Sequence, residues 1–342
     1  MLMIKPYASF LMLSLFALLS TGCKTFPKGE KNGVAQKARV LFDTDANNEV
    51  DDQHALAYLL FNGKAFQVDG ITVNATYNGG TIDSHYREAE RVIRLCDTEG
   101  RFPLVKGADK DFTTIKNAIH QTTFDGSEAV NLIIEKARTA NGQPLVVIAV
   151  GKLTNIALAL AKDSTITSKV RVVWLGSNYP ESGEYNQDND TAALNYLLNS
   201  EVPFEMVTVR YGKPSGTDAV KVTKEEIIKN MTGKGPRVAQ AVVGRHGAAF
   251  TTFGDYSVNL FEHIELYGTP PARSLFDMAA VAVVKNPSLA KKRELPAPAL
   301  VNNQWVERPA NRRLITVWEN FDRDKIMQDY FKTMKRYHLV TK

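Results

Sequence analysis

Two cysteines, Cys23 and Cys96, are all that the 342 residues contain. That is too few for a disulfide scaffold or a thiolate metal site. The six histidines are scattered rather than clustered, which argues against zinc as well. There is no internal repeat, no low-complexity tract beyond a short Lys/Gly/Pro-containing stretch near residues 24–37, and no second hydrophobic span after the N-terminus. Positive charge is not run together either. The net +5 is spread along the chain, the pattern of a solvated surface and not of a nucleic-acid stripe.

What is present begins with MLMIKPYASFLMLSLFALLSTGC: one lysine at position 5, an apolar run from Ala8 to Leu19, then small residues ending at Gly22 and Cys23. The run is too short to cross a bilayer and reads as an export signal over residues 1–22. Small residues directly before a cysteine resemble a bacterial lipoprotein cleavage site, although Ser20 stands where leucine is usual. That resemblance implies that Cys23 is the acylated first residue of the mature chain, anchored in the bacterial cell envelope, at its periplasmic face or the cell surface. The alternative is an ordinary secretory signal with an incidental cysteine. Removing residues 1–22 leaves 320 residues and a net charge of +4, because Lys5 goes with them. Residues 23–37 read as a linker and residues 38–342 as one large domain.

That domain alternates. Short apolar, β-branched runs read as buried strands at residues 38–45, 66–75, 103–108, 144–151, 170–177 and 203–209. Stretches of helical periodicity lie between most of them, including DDQHALAYLLFNG, SHYREAERVIRLCD, EAVNLIIEKARTA, TNIALALAKD and DTAALNYLLNS. Strand and helix in turn predict an α/β fold, a mostly parallel open sheet with helices on both faces. Ligands in such folds bind beyond the carboxyl ends of the strands. The stretch DTDANNEVDDQHAL stands at such an end, and five of its first ten residues are carboxylates.

Several chemistries compete for that loop. A helix cap needs one or two acids, not five. An EF-hand wants glycine at the sixth place and glutamate at the twelfth, where this chain has Asn48 and His54, and a helix rather than a strand before it. An aspartyl-phosphate phosphatase also places Asp-x-Asp after its first strand, so Asp43 and Asp45 alone leave that reading open. Converging, unpaired acids repel one another, and a bound dication removes that repulsion. Calcium, which takes six to eight oxygens, suits an acid-rich loop.

The stretches DTDANNEVDDQHAL, GITVNATYNGG, VIAVGKLTNIALALAKD, VVWLGSN, EYNQDNDTAALNYLL and SLFDMAAVAVV, in this order, resemble the inosine-uridine preferring nucleoside hydrolase family. The resemblance covers most of the chain from about residue 38 to 340. It implies an open α/β fold holding one Ca2+ ion, and hydrolysis of the N-glycosidic bond of ribonucleosides to free base and ribose. Carried onto this sequence, it makes Asp45, Asp52, Asp277 and the backbone carbonyl of Thr154 the metal ligands. Asp45 is then also the base that activates a calcium-bound water. Asp51, Asn78, Glu184, Asn186 and Asp277 are the expected ribose contacts, with Asn74 the alternative to Asn78. The implied partner is a small-molecule nucleoside; nucleic acid is not expected, a homo-oligomer is compatible, and the membrane is reached through the lipid at Cys23. A nucleoside- or sugar-binding envelope lipoprotein that has kept the fold without turnover is the alternative from another class.

Two departures from the family pattern bear on specificity. The loop before the paired Asp51 and Asp52 is longer than usual and reads Ala46, Asn47, Asn48, Glu49, Val50, so Asn47 or Asn48 is a candidate for the pocket. The residue before Asp277, often a histidine that protonates the leaving base, is Phe276. The preceding segment offers His246, His263 and Tyr256 as substitutes, each with surface or packing as its plainer role. Met206 and Trp174 read as core.

Overall fold

The computed structural model describes residues 36–139 and 142–341. The expected export signal and Cys23 lie outside them. Strand β1, Ala38–Thr44, sets the pattern for the rest. Val40 and Phe42 enter one apolar cluster and Leu41 the other, as the two-residue period of a strand requires. Strand β4, Leu145–Ala149, does the same: Val146 and Ile148 face one cluster, Leu145, Val147 and Ala149 the other. A strand buried on both faces has no polar side to alternate with, which is why these runs are continuously apolar.

The chain runs β1, α1 (Asp51–Leu60), β2 (Phe66–Val73), α2 (Ile82–Leu95), β3 (Leu104–Lys106), α3 (Phe112–Ile115), α4 (Ser127–Arg138), β4, α5 (Thr154–Lys162), β5 (Val170–Leu175), α6 (Tyr185–Asn189), α7 (Thr191–Asn199) and β6 (Phe204–Val207). Eight strands form the main sheet in the order Lys291–Pro296, Leu314–Glu319, β6, β5, β4, β1, β2, β3. Every neighbouring pair is parallel except the two C-terminal strands, which pair antiparallel at the edge. Residues of α1, α2 and the C-terminal helices Met278–Lys285 and Arg323–Lys335 fill the cluster on one face, and residues of α4, α5 and α7 fill the other. Trp174 and Met206 are fully buried in the second cluster. Burying side chains of this size stabilises by about 1.5–3 kcal/mol each.

The order matters for the site. From β1 the chain moves to β2 and β3 on one side, then returns to place β4, β5 and β6 on the other. The loops after β1 and β4 therefore diverge, and a crevice opens between them at the carboxyl ends of the strands. A two-stranded ribbon, Lys221–Thr223 paired antiparallel with Ala272–Ser274, also contributes residues to this crevice.

Candidate active site

A cavity of about 430 Å³ opens at that crevice, within the size range of small-molecule sites. Asp45, Asp51, Asp52, Glu184, Asn186 and Asp277 all line it. These residues come from three separate stretches of chain, so only the fold could assemble them. Local geometry explains each placement. Asp45 follows directly on β1 and its Oδ2 accepts from the Thr76 hydroxyl at 2.6 Å. Gly151, after β4, is required for the close approach: a Cβ there would lie 3.0 Å from Asp45 Oδ1 and 2.8 Å from the Asn74 side chain. Asp51 and Asp52 are the first residues of α1, whose unpaired N–H groups and dipole favour carboxylates. Asp52 Oδ1 also accepts from the Thr44 hydroxyl at 2.5 Å. Asp277, from the far end of the sequence, stands directly before the helix Met278–Lys285.

The charge in this floor is unbalanced. Burial first, with neighbouring carboxylates adding to it, pushes Asp45 up to about 6 and Asp51 up to about 7. Asp52 and Asp277 are driven well above the usual carboxylate range by burial and by the same neighbours. Carboxylate oxygens of Asp51, Asp52 and Asp277 lie within 4.8 Å of one another, close enough to share one ion. Carboxyl oxygens, hard donors and all buried, fit a calcium-like dication that would favour their ionised form. The trio differs from the expected ligand set in containing Asp51, while Asp45 lines the same cavity beside it.

On the opposite side, Glu184 caps α6 and accepts from the backbone N–H groups of Ser177 and Gln187 at 2.8 and 2.9 Å; burial nevertheless pushes it up to about 7. Asn186 donates through Nδ2 to the carbonyls of Val150 and Leu175 at 2.9 and 3.2 Å. Its Oδ1 is buried without a donor among the described residues. An orphaned acceptor beside a carboxylate suits a ligand hydroxyl.

Other expected residues fall elsewhere. Asn78 is exposed and does not line the cavity; its backbone N–H donates to the Tyr185 hydroxyl at 2.8 Å. Asn74 is fully buried and donates to Asp43, whose carboxylate also accepts from Thr72 and Asn155. That network fixes the turn beneath Asp45, and burial pushes Asp43 up to about 6. Thr154 is buried at the start of α5, its hydroxyl donating to Asp190 at 2.5 Å, and its side chain is not part of the cavity wall. Of the longer loop, Asn48 and Glu49 line the cavity, whereas Asn47 donates to the Gly79 carbonyl.

None of the three substitutes for the missing histidine reaches the cavity. The Tyr256 hydroxyl donates to the buried Glu88 at 2.5 Å, and His246 and His263 stack on each other at 4.1 Å away from the cavity lining. Phe276 does line it, with Tyr211 edge-on at 6.0 Å. The sequence reading missed the rest of this wall: Tyr185, Tyr211, Tyr267, Lys221 and Arg273. Tyr185 sat inside the quoted EYN stretch; Lys221 and Arg273 carry no local signal, because they reach the site only through the ribbon that pairs them.

Comparison with known proteins agrees with this architecture. The family profile of inosine-uridine preferring nucleoside hydrolases matches residues 40–328. A probable uridine nucleosidase 2 of Oryza sativa subsp. japonica is 28% identical over 224 residues, covering 58% of this chain and 62% of the rice protein. A pyrimidine-specific ribonucleoside hydrolase of Shewanella baltica is 28% identical over 158 residues, 40% of this chain and 49% of the relative. The chain thus spans between about half and three fifths of the length of these curated relatives. The fold matches a purine-preferring ribonucleoside hydrolase from Gardnerella vaginalis with a TM-score of 0.63 at 18% identity, covering 86% of this chain and 98% of that one. A profile match over most of the domain, on the α/β sheet and acidic cavity described above, shows that the chain belongs to the inosine-uridine preferring nucleoside hydrolase family.

Proposed function

We propose that this protein hydrolyses the N-glycosidic bond of ribonucleosides, releasing free base and ribose. The observation that carries the reading is the convergence of Asp45, Asp51, Asp52, Glu184, Asn186 and Asp277 on one cavity at the switch point of the sheet. A calcium ion held by Asp52, Asp277 and a further carboxylate would supply the positive charge that lets these acids ionise together and makes nearby water more acidic. Asp45 takes the proton of the attacking water at Oδ1, since Oδ2 is engaged by Thr76. Glu184 and Asn186 grip ribose hydroxyls, the latter through its unpaired Oδ1. The sugar becomes cationic as the bond breaks, and the surrounding carboxylates stabilise that charge as it develops. Water attacks the face opposite the departing base.

The test is release of reducing sugar from a panel of purine and pyrimidine nucleosides, before and after treatment with a chelator and after calcium is restored. No ribose from any nucleoside would end the hydrolase reading. Full activity after exhaustive chelation would end the calcium part alone. A separate feature, the small residues directly before Cys23, supports an envelope location with lipid on that cysteine.

A further inference from the structure

We propose that Arg273 stabilises the leaving base, taking by charge the role that a proton donor beside Asp277 would otherwise have. The inference rests on the hydrolase reading above and specifies one further catalytic residue for it. Depth within the cavity places the base. Asp45, Asp52 and Asp277 are at most 2% exposed, so the sugar end is the floor. Tyr267 and Tyr211 are 53% and 43% exposed, so the wall that carries them is the mouth. A nucleoside seated with its ribose on the carboxylates presents its base to that wall. Phe276, which lines this space, has no proton to give.

Arg273 belongs to the same wall. It is a largely buried cation, its side chain 11% exposed, that meets the Glu49 carboxylate of the long first loop, itself 37% exposed. Its guanidinium carbon lies 5.4 Å from the centre of the Tyr267 ring. An ion pair on one side and an aromatic face on the other hold the planar group in one orientation, as fits a guanidinium that must present donors to a flat ligand. Lys221, the other cation lining the cavity, is half exposed and lies 3.4 Å from Asp218, a looser arrangement. The longer first loop acquires a purpose on this account, since it carries Glu49 to this wall.

The step balances without an acid. The bond between sugar and base breaks with both electrons going to the base; the water oxygen bonds to the sugar carbon, and Asp45 receives the water proton. The base departs as an anion facing Arg273 and takes its proton from solvent after release. Arginine stays charged throughout the accessible pH range, so it contributes a fixed charge rather than a titrating proton.

The experiment compares Arg273→Gln and Arg273→Lys with wild type on uridine, inosine and 4-nitrophenyl riboside, whose nitrophenolate leaves without help. Loss of a preorganised charged donor costs roughly a hundredfold to a thousandfold in rate. Arg273→Gln is therefore expected to lose about a hundredfold on both nucleosides and less than about threefold on the nitrophenyl riboside, with Arg273→Lys in between. Calcium-dependent melting should remain in both variants, which excludes unfolding as the cause. In wild type, kcat/KM for uridine should show no descending limb between pH 7 and 8, below the range in which the uracil N3–H itself ionises, because the stabilising group does not titrate there. Equal losses on all three substrates, no loss on any, or an alkaline limb that reports a titrating acid would each overturn the assignment while leaving the hydrolase reading intact. A wild type inert on every riboside would overturn both.

Discussion

Metal-free protein should lose stability as the pH rises, and calcium should restore it most where the loss is greatest. Asp51 rises from 3.8 to about 7 and Glu184 from 4.5 to about 7, both through burial first. A carboxyl raised by folding binds its proton more tightly in the folded state. Its stabilising contribution is complete below the unfolded value and is lost as the pH climbs through the folded one. At about 1.4 kcal/mol per unit, Asp51 alone accounts for roughly 4 kcal/mol, a large part of a typical domain's 5–15 kcal/mol. A domain of this size shifts by roughly 2 °C per kcal/mol, so chelated protein should melt at least about 5 °C lower at pH 8 than at pH 5. Bound calcium replaces the protons as the source of positive charge and flattens the curve. The calcium-induced rise in melting temperature should therefore grow with pH, measured by circular dichroism in chelator and in excess calcium. A chelated protein no less stable at pH 8, or a calcium shift independent of pH, would refute the argument that these acids are held together at the expense of folding.

Three further outcomes follow from the same geometry. Asp277→Ala should abolish both the calcium-induced melting shift and turnover, because it removes one of the three acids whose oxygens lie within 4.8 Å; a retained shift would show that the ion sits elsewhere. Gly151→Ala should lower kcat by roughly tenfold or more with the fold preserved, since its methyl would meet Asn74 and Asp45 at 2.8–3.0 Å, and misplaced catalytic groups are costly. Wild-type kinetics in that variant would show that the loop after β4 gives way freely. Cys23→Ser should move the protein from the membrane fraction to soluble or unprocessed forms, and unchanged fractionation would remove the lipid anchor.

Most of the sheet and half of the site could be read along the chain, for a local reason. The strand runs predicted at 38–45, 66–75, 144–151 and 170–177 contain β1, β2, β4 and β5, because strands buried on both faces write continuous apolar residues. Asp45, Asp51 and Asp52 were legible because strand end and helix start are adjacent in sequence, and like charge so dense needs a counter-ion to be tolerated. Which strands neighbour which was not legible: β4 lies beside β1 only because the chain reverses direction across the sheet, and that reversal opens the crevice. The C-terminal strands Lys291–Pro296 and Leu314–Glu319 escaped notice because the first is largely exposed at an edge and carries lysine, arginine and glutamate. Nor could sequence separate Asn186, a buried residue of α6 that lines the cavity, from Asn78, which is exposed; only burial tells them apart. Arg273 and Glu49 stand 224 positions apart and meet through a charge pairing no local pattern encodes. Covalent neighbours determine strand, helix and the acidic turn; the pocket's far wall depends on contacts between distant segments, which exist only once the hydrophobic core has brought them together.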